Sequence, residues 1–161
     1  MLPRNRAGVK RRLAELADAA CHSLGVQVAY GWPGDTVEDS TMYFAGVEGN
    51  DDVDGFSVGE QLKSDRFTIP ALVAVTPYFD PVDAEEAVEA VVREFDAVLR
   101  RCKRLRDTEA TIDDGDTDSY AGVRSAVITR AQGPYVSYAQ PTPNAPIIGL
   151  YQLDIECVSD L

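Results

Sequence analysis

The chain has 161 residues, 45% hydrophobic and 26% charged, so a single domain (residues 1–161) with one core is expected, with no need of a disulfide or metal staple. Fifteen Lys and Arg against 27 Asp and Glu leave a net charge of −12, which excludes a protein that grips nucleic acid over its whole surface. No apolar run approaches the roughly 20 residues that span a bilayer, and no signal-peptide core follows the basic start MLPRNRAGVKRR, so a cytosolic, membrane-free product is expected.

Val9, Leu13, Leu16, Ala20 and Leu24 recur at helical spacing, which predicts an amphipathic helix over 8–23 that Gly25 ends. Residues 1–7 read as a mobile basic arm, and the cations in the first turn oppose the helix dipole, so that turn frays or a partner compensates. VQVAY at 26–30 then alternates as a strand, and Gly31, Pro33, Gly34 and Asp35 close it with a turn. Trp32, the only tryptophan, sits inside that turn. Packing in the core is the favoured role for it, a subunit contact the second, a ligand pocket the third.

A second strand, TMYFAGV at 41–47, leads into the acidic stretch EGNDDVDGFSVGE. RFTIPALVAV at 66–75 places Phe67, Ile69, Ala71, Val73 and Val75 on one face, while Pro70, which cannot donate to a ladder, predicts an edge strand or a bulge. Asp80 and Pro81 open the longest helix, whose stripe of Val88, Val91, Val92, Phe95, Val98, Leu99 and Cys102 runs to about Leu105. Acids early and cations late suit its dipole, with Glu89–Arg93 and Asp96–Arg100 as four-residue pairs. Residues 107–119 have the polarity of a mobile acidic loop. A strand over about 121–130 follows, and the four prolines of GPYVSYAQPTPNAP deny that segment a central strand position. LYQLDIECV closes the chain as an alternating strand, with Tyr151, Leu153, Ile155 and Cys157 on one face and Gln152, Asp154 and Glu156 on the other.

Little of this points to catalysis. One histidine, His22, supports no local zinc or nucleophile constellation, and neither dinucleotide nor P-loop glycine motifs occur. Cys21, Cys102 and Cys157 fall on apolar positions and read as buried free thiols. NDDVDG matches the first half of an EF-hand calcium loop through Asn50, Asp52, Asp54 and Gly55, but its twelfth position is Gln61 and its flanks read as strands; DGDTDS at 114–119 fits less well. Both read as solvated tips. No catalytic residue, metal site or cofactor is expected.

Charge is segregated. Arg4, Arg6, Lys10, Arg11 and Arg12 form one basic cluster and Arg100, Arg101, Lys103, Arg104 and Arg106 another, leaving most of the remaining surface acidic. Each cluster reads as a solvated helix face, or as half of a complementary contact between neighbouring molecules.

The order helix, VQVAYGWPGD, TMYFAGV, an acidic connection, RFTIPALVAVTP, a long helix beginning DPVDAEEAVEAV, a variable loop and a closing LYQLDIECV resembles the tail terminator proteins of long-tailed (siphovirus-type) phages of actinobacteria, over residues 8–160. The resemblance implies an α+β fold: a mixed, mainly antiparallel sheet of about four to six strands with an N-terminal helix and one long helix packed against it. It also implies a structural virion protein with no reaction or cofactor, assembled in the host cytoplasm into a hexameric ring. Such a ring caps the finished tail tube and joins it to the head connector. Its partners would be copies of itself, the tail tube protein and the connector or head-closure protein. Separately, the −12 charge and the acidic loops lead us to expect an acidic lumen through which DNA slides unbound. Other head-to-tail joining or tail-completion proteins share the plan, and a small cation-binding module is the reading from a different class. Arg4, Arg6, Arg11, Trp32, Tyr135 and Tyr138 are the residues expected to meet a neighbouring subunit or partner.

Overall fold

A computed structural model describes residues 6–32, 40–50, 56–57, 60–61, 64–101, 123–138 and 145–160. The first helix, α1 (Arg6–Cys21), tightens into one 3-10 turn, His22–Leu24. Gly25 ends it at φ 71°, its amide donating to the His22 carbonyl at 3.1 Å. Only glycine adopts that left-handed backbone without cost, so the predicted stop holds. Strands β1 (Gln27–Ala29), β2 (Thr41–Phe44), β3 (Glu48–Asn50), the small pair β4 (Phe56–Ser57) and β5 (Glu60–Gln61), and the long β6 (Ser64–Tyr78) follow. Helix α2 (Pro81–Arg101) and strands β7 (Val123–Tyr138) and β8 (Ile147–Asp160) complete the chain. Asp80 caps α2: its Oδ1 accepts from the Val82 amide at 2.8 Å, as an Asp-Pro start predicts.

The fold is α+β, as expected. The sheet runs β1-β2-β6-β8-β7, with β3 extending the β2 side of β6. Among the described strands only the β1–β2 pair is parallel. Two expectations are corrected in part. Of the edge strand or bulge expected at Pro70, the edge fails and the bulge holds: β6 is central, because β2 and β3 flank it on one side and β8 on the other. Pro70 fits there because Ala45, Gly46 and Val47 stand opposite only Ile69 and Pro70, one residue too many for a regular ladder. A residue's N–H and C=O point to the same side of a strand, and the Pro70 carbonyl accepts from the Ala45 amide at 2.7 Å. The missing N–H therefore faces this bulge in the partner, where a regular ladder bond is already interrupted.

The second correction concerns β7, which does not stop at Arg130 but continues through Tyr138. It does lie at the sheet edge, and three register shifts against β8 absorb its irregular residues. One of them, between Gln132 and Tyr135, holds Gly133 at φ 142°, where a Cβ would stand 3.1 Å from the Tyr151 ring. An edge of this kind, bulged and carrying Pro134, resists pairing with another strand.

Both helices cover the same face of the sheet. Phe67, Ile69, Ala71, Val73 and Val75 of β6, Leu153, Ile155 and Cys157 of β8, and Met42 and Phe44 of β2 are buried under Val9, Leu13, Leu16 and Ala17 of α1 and Val88, Val91, Phe95 and Leu99 of α2. The Phe44 and Phe95 rings meet edge to face at 6.1 Å.

Helix directions follow from single contacts. The Arg6 guanidinium lies 5.4 Å from the Phe67 ring, whereas the other end of α1 leads into Gln27, level with Thr41 and Ala74, so α1 runs along β6. Helix α2 runs against it: Ala84 lies on Gly149, level with Val75, and Arg100 lies beside Ile128, level with Ile69.

The seat of α2 depends on Gly149. A Cβ there would stand 2.5 Å from the Ala84 carbonyl oxygen and 3.0 Å from Val75 Cγ2, and the first of these is backbone that cannot turn aside. Gly149→Ala is expected to destabilise the fold by about 1–3 kcal/mol, read as a lower urea midpoint; an unchanged midpoint would show that α2 is not held at this distance.

Candidate functional site

Among the described residues no group of three or more His, Cys, Asp or Glu is placed to hold a metal ion. Most of the NDDVDG segment, at 51–55, and all of DGDTDS lie outside the described residues, as does Cys102. His22 is exposed, and its carbonyl caps the 3-10 turn. Cys21 and Cys157 are buried free thiols. Desolvation, with Glu94 and Asp18 nearby, pushes Cys21 up to about 11; desolvation, with Glu156, pushes Cys157 up to about 12. Cys21 donates its proton to the Val91 carbonyl at 3.7 Å, tying α1 to α2. A thiol held protonated and out of solvent is a poor nucleophile.

One open cleft, about 320 Å³, runs between α2 and β7, lined by Glu89, Val92, Arg93, Asp96, Arg100, Ile128 and Ala131. Its closest charges are already matched, Arg100 Nε lying 2.8 Å from Asp96 Oδ2. Nothing in it brings an acid, a base and a nucleophile together.

What the described surface offers instead is contact area. Trp32 is 66% exposed, so the favoured expectation of a core residue is wrong. It leans edge-on against Tyr43, ring centroids 5.1 Å apart. Residues opposite one another across a sheet share a face, which places Tyr43, Leu72, Ala74, Leu150 and Tyr135 together on the face that neither helix covers. Further along the same face the pairs turn polar: Arg130 stands opposite Asp154, Val127 opposite Glu156, and Gln132, with its amide turned to match its neighbours, donates to Gln152 Oε1 at 3.2 Å and accepts from Arg130. Trp32 and Tyr135, singled out as contact residues, thus flank one half-apolar sheet surface. Tyr138 does not join them. It stands opposite Ile147, itself opposite Tyr78, at the very end of the sheet and on the other face.

The first basic cluster is only partly a solvated face. Arg6 is half-buried on Phe67 and Arg11 is exposed, whereas Lys10 and Arg12 are buried, and Arg4 lies outside the described residues. The Lys10 ammonium sits 4.2 Å from the centre of the Tyr30 ring, whose hydroxyl reaches the Ala7 carbonyl at 3.5 Å, and desolvation pushes the Lys10 pKa down. Arg12 Nη1 pairs with Glu15 Oε2 at 3.2 Å.

Sequence reasoning missed Phe79 and Val82, which are 71% and 59% exposed. Only Val82 had a legible signal, falling out of phase with the buried stripe Ala84, Val88, Val91, Phe95 and Leu99; Phe79 immediately precedes the cap residue Asp80, where a hydrophobic staple is expected to fold inward, so local sequence pointed the other way. No protein-family model matches this sequence, and no curated protein matches it.

Two outcomes follow from these placements. Trp32→Ala is expected to cost at most about 1 kcal/mol by urea unfolding, since it loses one edge-on ring contact and no core volume; a loss of cooperative folding would return Trp32 to the core. In a Cys102→Ser background, Cys21 and Cys157 are expected to resist a thiol reagent even at pH 9, the ordinary thiol value, and to label rapidly in urea. Equal rates in both conditions would contradict their burial.

Proposed function

We propose that this protein is a structural assembly component, a tail terminator whose copies form a ring that caps a phage tail tube and connects it to the head. The observation that carries the reading is the outward placement of Trp32, Tyr135 and Tyr138 on a folded domain whose cleft between α2 and β7 is open and holds the Arg100–Asp96 ion pair. Large aromatics left on a surface are the usual anchors of protein contacts. The resemblance in element order adds the kind of assembly, and the helix, strand and long-helix sequence it implies is the one the chain adopts.

In this reading the chain makes and breaks no bonds. Its contacts join it to its own copies, to the tail tube and to the head connector, within the virion. A net charge of −12 suits a lumen through which DNA must slide without being held, because like charge leaves the phosphates hydrated.

Light scattering and negative-stain imaging of the purified chain, alone and with tail tubes, test this. Annuli of uniform diameter, or caps at one end of the tubes, are expected. A chain that neither forms annuli nor joins tubes contradicts the proposal, and so does an assembled ring that retains duplex DNA at moderate salt.

A further inference from the structure

We propose that the end of the molecule bearing Phe79, Val82 and Tyr138 docks a second protein, one whose contact surface is an apolar socket rimmed by lysine and arginine. This rests on the assembly reading above and assigns one surface to a partner other than a copy of the chain.

The sheet brings the three side chains to one place. Tyr78, Ile147 and Tyr138 stand in one row across β6, β8 and β7. With strands about 4.8 Å apart, the backbone of Tyr138 lies about 10 Å from that of Tyr78. Phe79 follows Tyr78 directly, and Val82 belongs to the first turn of α2, which starts over the same end with Ala84 against Gly149. All three side chains are more than half exposed, and Pro77, Pro81 and Pro146 are exposed beside them.

The rim of this cluster is acidic. Asp80 and Asp83 flank Val82, and Glu86 stands one helical turn beyond it on the same side of α2; all are exposed. None of these carboxylates has an ion pair among the described residues. The chain offers them no cation nearby: residues 13–62, 67–92 and 131–161 contain neither Lys nor Arg. The α2 dipole offsets only about half of one unit charge, so the end stays net negative.

An apolar centre inside a charged rim is the anatomy of a protein contact, and exposed aromatics are its usual anchors. The counter-charge has to come from the partner. Arginine suits it best, since that side chain both stacks on an aromatic face and pairs with a carboxylate. Phosphate polymers carry the sign this end repels. A second copy does not supply the socket either. Arg11, Arg12 and Arg101 have partners within the chain, Arg100 pairs with Asp96, and Arg93 shares its cleft with Glu89 and Asp96. Arg66 and Arg130 share the uncovered sheet face with Glu48, Asp154 and Glu156.

Two variants of the full-length chain test this. Phe79→Ser removes an anchor and Asp83→Arg/Glu86→Arg reverses the rim; a thermal melt checks folding, and either variant suffices should the other fail to fold. Purified tail tubes and tail-less heads are the probes, with annuli followed by negative stain. Wild-type binding to one probe is expected to weaken with added NaCl, and both variants to form annuli as wild type does while binding that probe at least about tenfold more weakly. Folded variants that bind like wild type, or wild-type binding that salt leaves unchanged, overturn this docking surface and leave the assembly reading standing. Variants that lose their annuli also overturn it, making this end a contact between copies. A wild-type chain that neither forms annuli nor binds either probe overturns both.

Discussion

The antiparallel ladder between β6 and β8 is the constraint on which the remaining geometry depends. It holds one unbroken register from Ser64 opposite Asp160 to Val75 opposite Gly149, so every alternate residue of both strands is committed to one face. Leu153, Ile155 and Cys157 then share a floor with Ala71, Ile69 and Phe67, their respective partners in the ladder, and that floor is wide enough to seat two helices side by side. Gly149 sets how closely α2 approaches, and the ladder's length sets how far apart the two ends of the molecule lie.

With both helices on one side, the sheet's second face is left to Tyr43, Leu72, Leu150 and Tyr135 at one end and to charged and amide pairs at the other. The helices add a second polarity along the same axis. Helix α2 carries acids where its dipole is positive and arginines where it is negative, an arrangement that stabilises the helix itself. Helix α1 carries its cations against its dipole and offsets them individually: Arg6 on Phe67, Lys10 on Tyr30 and Arg12 with Glu15. Keeping such residues at the start of α1 has no evident benefit to the helix.

The core was readable because its signal is periodic. Alternation in RFTIPALVAV and LYQLDIECV, and helical spacing from Val88 to Leu99, identified the buried faces, and Asp80-Pro81 and Gly25 marked helix boundaries by local backbone chemistry alone. What escaped depended on neighbours distant in sequence. Pro70 is tolerated in a central strand only because the other side of the ladder bulges at Ala45–Val47. Lys10 and Arg12 are buried only because Tyr30 and Glu15 receive them, and Trp32 is exposed because Tyr43 offers it an edge rather than a pocket. The contact surface was half legible. Exposed aromatics at Trp32, Tyr135 and Tyr138 could be picked by type, but that Tyr138 shares an end with Phe79 and Val82 follows only from the pairing of Tyr78, Ile147 and Tyr138.

The central claim, that the protein works through exposed aromatic surfaces brought together between copies and virion partners, is tested most directly by amide hydrogen exchange on the free chain and on the chain assembled alone or on tail tubes. The account predicts slower exchange on assembly around the exposed aromatics, in residues 30–32 and 135–138, with the buried ladder between β6 and β8 unchanged. Exchange at those residues that is the same in the free and the assembled protein would contradict it.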